Sequence, residues 1–362
     1  MEERIFNFSA GPAILPEDVL KKAQEDLFCL PGVGMSILEI SHRSKKFDEV
    51  LLGAKEGIKK LLDVPDDYAI MFLQGGASLQ FSMIPMNLMA PANKADYIVT
   101  GVWSEKAVKE AKKVGTVQIA ATTKEDNHNR IPKQEELKLD PEAAYVHYTS
   151  NNTIFGTQWH KEPEVGSVPL ICDASSDILH KKIDVKKYAM IYAGAQKNIG
   201  PSGVVLVIMR KDLLARSTDA LPTMLNYKVM EENDSLYNTP NVFGIYIIDL
   251  VTKYLLANGG LDAMYQKNLK KAALLYKCID DSQGYYKGHA QLDSRSLMNV
   301  TFRLPSEELE KQFISEAKAQ KLDGLKGHRS VGGCRASIYN AFPEAGVEAL
   351  VQFMNEFRAK NG

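Results

Sequence analysis

Lys197 stands in Tyr192-Ala-Gly-Ala-Gln-Lys-Asn-Ile-Gly-Pro-Ser-Gly203, and Asp173 closes the apolar run Val168-Pro-Leu-Ile-Cys-Asp173, twenty-four residues earlier. A lysine amine can capture an aldehyde as a Schiff base, and a buried carboxylate can keep a pyridine nitrogen protonated so that its ring draws electrons from a bound carbon. Together the two residue types point to pyridoxal phosphate (PLP) chemistry. Either alone is ordinary, because most lysines are solvated and most aspartates near strand ends serve turns or caps. Context sets this lysine apart. Met190-Ile-Tyr-Ala193 precedes it, and a Gly/Pro turn leads into Val204-Val-Leu-Val-Ile-Met209, so the segment reads as a hairpin carrying a lysine between two buried strands. Desolvation there lowers an amine from its reference value of about 10.4 and frees the nitrogen near neutrality.

Other candidate residues also follow strand-like runs. Ala69-Ile-Met-Phe-Leu73 leads into Gln74-Gly-Gly-Ala-Ser78 and a helix-like segment kinked at Pro85. Small residues at a helix start let backbone N–H groups approach an anion, so this loop is a candidate phosphate cradle, although Gly-Gly also makes plain tight turns. Trp103, placed just before a helix, offers either a flat surface for a cofactor ring or an ordinary core tryptophan. Thr153, in Thr149-Ser-Asn-Asn-Thr153, offers a hydroxyl for a phenolic oxygen or simply belongs to a turn. Two His-Arg pairs, His42-Arg43 and His328-Arg329, and Arg335 in Val331-Gly-Gly-Cys-Arg335 suggest recognition of a dianion, since arginine forks match carboxylate and phosphate oxygens.

The elements that must position these residues alternate. Residues 69–73, 95–100, 144–148, 170–173, 190–193 and 204–209 read as strands, with helix-like stretches such as 104–114 between them. This is the rhythm of an α/β fold with a mainly parallel sheet between helices, in which ligands collect beyond the carboxyl ends of strands. After Ala257-Asn-Gly-Gly260 the pattern changes: 297–304 and 335–339 read as strands, 307–320 and 347–360 as helices. The expected organisation is a large α/β domain over 16–258 and a smaller α+β domain from 1–15 and 259–362.

With 362 residues and 45% hydrophobic content the chain can bury an enzyme-sized core. Its 44 basic and 45 acidic residues leave a charge of -1, which provides no electrostatic excess for nucleic acid or an anionic membrane. Cys29, Cys172, Cys278 and Cys334 are scattered without metal-ligand spacing, so no metal site is expected. Met1-Glu-Glu-Arg-Ile-Phe6 does not resemble a signal peptide, and no run approaches the roughly 18 apolar residues of a membrane span. A cytoplasmic protein is expected.

Taken in order, Phe6-Asn-Phe-Ser-Ala-Gly-Pro-Ala13, Ser41-His-Arg43, Tyr192 to Pro201, Tyr237-Asn-Thr-Pro240 and Gly327-His-Arg-Ser-Val-Gly-Gly-Cys-Arg-Ala-Ser-Ile-Tyr-Asn-Ala341 resemble the phosphoserine aminotransferase family, a class V branch of the fold-type-I PLP enzymes. The resemblance covers essentially the whole chain. It implies that Lys197 anchors PLP and then moves the substrate's α-proton, that Asp173 pairs with the pyridine nitrogen, that Trp103 stacks on the ring, and that Thr153 and Gln196 contact it. It implies that Ala77 and Ser78 belong to the phosphate cradle. Asn238 and Thr239 would reach the cofactor phosphate of a neighbouring subunit in a homodimer with shared active sites. Arg335 would hold the substrate α-carboxylate. His42 and Arg43, with His328 and Arg329 from the partner chain, would grip the substrate phosphate or the distal carboxylate of glutamate. The implied substrates are L-glutamate and a phosphorylated 2-oxo acid, 3-phosphohydroxypyruvate in serine synthesis; the four-carbon phosphorylated keto acid of vitamin B6 synthesis is a further one. One departure stands out. Some family members carry Gly-Gly-Gly-Arg-Gly-Gln-Phe in the cradle, whereas this chain has Gly75-Gly-Ala-Ser-Leu-Gln-Phe81, and Ser78 brings no charge. A cysteine desulfurase is the nearest rival within the fold, with Cys334 as its nucleophile; a PLP-sensing regulator would need a basic DNA-binding domain, and this chain starts on the enzyme's first motif.

Overall fold

The computed structural model describes residues 4–362; residues 1–3, the start of the stretch grouped above with the smaller domain, lie outside the described residues. A seven-stranded sheet organises the larger part of the chain, in the spatial order Tyr68–Leu73, Val205–Arg210, Met190–Gly194, Leu170–Asp173, Val146–Thr149, Lys94–Val99, Thr116–Thr122. Val205–Arg210 pairs antiparallel with both neighbours and every other pairing is parallel, so six strands end on the same side. The central strands are apolar on both faces because both are covered. Ile191, Ala193, Leu206 and Ile208 face the helices Lys45–Leu62 and Val242–Ala257, and Met190, Tyr192, Val205 and Val207 face the side of Gly76–Leu88 and Val102–Ala111.

The hairpin expected around Lys197 is present, with Gly194 opposite Val205 and Met190 opposite Met209. The sheet also has a seventh strand, Thr116–Thr122, that the apolar-run reading passes over. This edge strand is largely exposed and mixes Thr and Gln with short apolar residues, so it lacks the continuous hydrophobic run of the buried strands. The helix expected from residue 104 starts at Val102, which puts Trp103 in its first turn instead of before it. Ser104 sets that start by accepting from the N–H groups of Thr100 and Gly101 at 3.1 Å each.

The C-terminal part forms a three-stranded antiparallel sheet of Lys287–Gly288, Asn299–Arg303 and Cys334–Ser337 beside the helices Gly260–Asp280, Glu307–Ala319 and Glu344–Asn361. Its core, including Phe302, Phe313, Leu350 and Phe353, is separate from the two cores of the large sheet. Near the amino end, Phe6–Asn7 pairs in parallel with Leu322–Asp323, so the first described residues run beside this C-terminal part. No single helix among the described residues is long and apolar enough to cross a membrane.

Candidate active site

Four strands deliver chemistry to one side of the sheet. Leu73 runs into Gly75 and Gly76, Val99 into Trp103, Thr149 into Thr153, and Leu170–Asp173 ends on Asp173 itself. The hairpin turn brings Lys197 to the same place. They line a cavity of about 400 Å³ whose walls include Ala77, Ser78, Trp103, Thr153, Asp173, Gln196 and Lys197. His328 and Arg335 close it from the C-terminal part, and Ala10 and Gly11 from the N-terminal strand's continuation.

Lys197 is half-buried, and its Nζ donates to Thr153 Oγ1 at 2.8 Å and lies 5.3 Å from the centre of the Trp103 ring. Burial lowers its pKa to about 8, with the nearby Arg335 charge pulling the same way and the carboxylates of Asp173 and Asp177 opposing. Asp173 is 4% exposed. Its Oδ1 accepts from the Ser175 hydroxyl at 2.6 Å and from the Ser175 N–H at 3.0 Å. Burial raises this carboxyl above its ordinary range, while Lys197 and the two Ser175 donors hold the ionised form. Ser175 Oγ in turn accepts from Gly194 N–H at 3.1 Å, tying the carboxylate to the strand that leads to Lys197. Behind this group Asp177, pushed up to about 6 by burial, accepts from Ser150 and Gln158.

Gly75 and Gly76 both have positive φ, 79° and 60°, and a Cβ on Gly75 would come within 2.5 Å of Leu79. Only glycine makes this turn without strain. Gly75 caps the helix Gly76–Leu88 with no side-chain acceptor, so the first N–H groups of the helix face the cavity beside Ala77 and Ser78. Arg335 reaches in from the strand Cys334–Ser337, and one of its terminal nitrogens donates to the Thr153 carbonyl at 3.3 Å. Burial lowers its pKa from the ordinary guanidinium value. Two buried donors, Trp103 Nε1 and Arg335 Nε, have no hydrogen-bond partner.

The remaining sequence-predicted residues do not reach this cavity within the chain. His42 and Arg43 sit on the turn before the helix Lys45–Leu62, which Ser44 caps. Asn238 and Thr239 lie near the end of the strand Tyr68–Leu73, where Gln74 donates to the Thr239 carbonyl at 3.3 Å. Arg329 is exposed. His328, expected to come from a partner chain, lines the cavity of its own chain. The bridge between Lys326 and Cys334 folds its loop back toward the cavity. Ser175, Asp177 and the Ala10-Gly11 backbone were missed by sequence reasoning; the spacing Asp173-Ala-Ser175, which lets a serine bond back to an aspartate two residues earlier, was the available signal for the first.

The model of the class-V aminotransferase family matches residues 5–350. The phosphoserine aminotransferase of Geobacillus kaustophilus is 56% identical over 358 residues, covering 99% of each chain, and that of Lysinibacillus sphaericus is 55% identical over 361 residues, covering all of both. Among solved structures, the phosphoserine aminotransferase of Bacillus circulans subsp. alkalophilus superposes with a TM-score of 0.98 at 51% identity, covering 100% of both chains. The PLP-bound phosphoserine aminotransferase of Trichomonas vaginalis gives 0.93 at 38% identity, covering 97% of this chain and 100% of that one. A lysine with a depressed pKa, a buried aspartate and a glycine cradle thus occupy one cavity in a chain that belongs to the class-V aminotransferase family, on its phosphoserine aminotransferase branch.

Proposed function

We propose that the protein transfers an amino group reversibly between L-glutamate and 3-phosphohydroxypyruvate, yielding 2-oxoglutarate and O-phospho-L-serine, with PLP as cofactor. The observation that carries this reading is the shared cavity of Lys197, Asp173 and the Gly75–Ser78 cradle. The cavity suits PLP on its own chemistry. An amine, a buried carboxylate, an indole face and a helix N-terminus match an aldehyde, a pyridine nitrogen, an aromatic ring and a phosphate. Lys197 would anchor the group, Asp173 hold its ring nitrogen, Trp103 cover the ring, and the cradle bind its phosphate, with Thr153 and Gln196 at its edge. When bound, PLP supplies an electron sink for the carbon that loses its proton.

The chain's own residues account for the rest. Arg335 orients the α-carboxylate of the incoming amino acid with a planar fork of donors. Lys197, with a pKa of about 8, is neutral often enough near pH 7 to take that amino acid's α-proton and acidic enough to return it. Thr153 holds the amine at 2.8 Å in the meantime. Lys197→Ala should abolish transamination and the visible absorbance of the loaded protein together; normal turnover in that variant would overturn the assignment. Against the desulfurase alternative stands Cys334, which is 1% exposed, lies on a paired strand opposite Phe302, and has its thiol pKa raised by burial. A mobile nucleophile needs the opposite setting.

A homodimer with shared sites is part of the same proposal. Support comes from the fact that His42, Arg43, Asn238, Thr239 and Arg329 do not line the cavity of their own chain, and from the exposed apolar side chains Phe28, Met35 and Leu38 just before His42, Phe28 being 91% exposed. The separate C-terminal core and the pairing of Phe6–Asn7 with Leu322–Asp323 favour a division into 16–258 and 1–15 with 259–362. Four free cysteines agree with a reducing cytoplasm.

A further inference from the structure

The cradle's lack of a cation raises the question of which group in this chain meets a second phosphate, that of the substrate. The amide donors of Gly76–Ser78 suit the cofactor phosphate, Lys197 is committed to proton transfer, and Arg335 to a carboxylate. Lys106 is a further cation beside this cavity, next to the lining residue Trp103. It is exposed, one helical turn beyond Trp103 on Val102–Ala111, and its Nζ stands 4.3 Å from the centre of the Trp103 ring.

Among the described residues Lys106 makes no ion pair, and its neighbour Glu105 is turned to Lys124 and His128 instead. An indole face steers an ammonium without cancelling its charge, whereas a carboxylate partner would neutralise it. Burial lowers the pKa of His328, a lining residue of the cavity, and the charges of Arg335, Arg329 and, least, Lys106 act in the same direction. Lys106 thus stands over one lining residue, Trp103, and adds its charge to those of Arg335 and Arg329 around another, His328.

We propose that Lys106 binds the phosphate of the phosphorylated substrate from this chain's own side of the cavity, filling the role for which Ser78 has no charge. The proposal rests on the aminotransferase reading above and deepens it. A dianion beside Lys106 and His328 gains from both. Glutamate, with a single distal negative charge, gains less, so Lys106 discriminates between the two substrates of one site.

The test compares Lys106→Ala and Lys106→Arg with the wild type, each loaded with PLP. Two readouts are used: kcat/KM of the half-reactions with O-phospho-L-serine and with L-glutamate, and the equilibrium binding of 3-phosphoglycerate, which carries phosphate and carboxylate but no amine. Lys106→Ala should lower kcat/KM for O-phospho-L-serine and weaken 3-phosphoglycerate by roughly ten- to a hundredfold, the span of one hydrogen bond to a charged group. The loss for O-phospho-L-serine should exceed that for L-glutamate at least tenfold, and Lys106→Arg should keep most of the preference. Equal losses for both substrates, or an unchanged affinity for 3-phosphoglycerate, overturn the role of Lys106 while leaving the aminotransferase reading intact. A wild type that turns over L-glutamate but ignores O-phospho-L-serine overturns that reading and this inference with it.

Discussion

Replacing Lys197 by Met in the cofactor-free protein should make it more stable at neutral pH, although the residue is the centre of the proposed chemistry. Methionine keeps the length and apolar packing of the stem and removes only the ammonium. Burial holds the folded-state pKa at about 8, against the ordinary lysine value of 10.5. That gap corresponds to roughly 3 kcal/mol of cost to folding, borne whenever the amine is protonated in both states. The sign follows from linkage. Below pH 8 the folded and unfolded chains both bind the proton and the full cost is present; between pH 8 and 10.5 the folded chain has already lost it, and the cost fades as pH rises. Because Thr153 loses its 2.8 Å partner in the variant, the net gain at pH 7 should be about 2–3 kcal/mol. Urea unfolding of both proteins from pH 7 to 10 measures it, with the gain shrinking steadily above pH 8. The same depression leaves about a tenth of the amine neutral at pH 7, some 300-fold more than at the ordinary lysine value, so it is the origin of reactivity as well as of instability. A variant no more stable than wild type, or a gain that ignores pH, would refute the idea that desolvation tunes this lysine.

Two further outcomes follow from the neighbouring contacts. Ser175→Ala removes the 2.6 Å donor to Asp173 and the acceptor of Gly194 N–H, and should destabilise by about 1.5–3 kcal/mol at pH 7 and weaken PLP retention. Burial already raises the Asp173 pKa, so stability from this group falls as pH rises from its unfolded value through the folded one; losing a donor deepens that fall, and the difference between variant and wild type should be smallest near pH 4. A pH-independent difference in denaturation would show that Ser175 serves the backbone and not the carboxylate. Cys334→Ala should retain glutamate-dependent turnover and lose about 1 kcal/mol of stability for the buried sulfur; loss of transamination with an intact fold would restore the thiol to the chemistry.

Much of the large sheet was legible because its strands are apolar on both faces, and a short apolar run bounded by turn residues has few other places to go. The edge strand Thr116–Thr122 lacked that signal because it is half solvated. The helix at Val102 began earlier than its apolar pattern because a side chain, Ser104, settles the N-terminus through local hydrogen bonds that periodicity does not express.

Lys197 and Asp173 could be singled out from sequence alone because each sits at an element end, between apolar strands or closing one, and because the two residue types suit one cofactor. Long ordered motifs added the family. What the linear order could not express is which residues share a wall. Ser175 matters through a hydroxyl that bridges two strands, Lys106 through an indole it stands over, and His328 through a loop that folds back on its own chain. Amine pKa, cation spacing and cavity shape depend on burial and on distances between residues far apart in the chain, and those quantities exist only once the sheet and the C-terminal part have packed together.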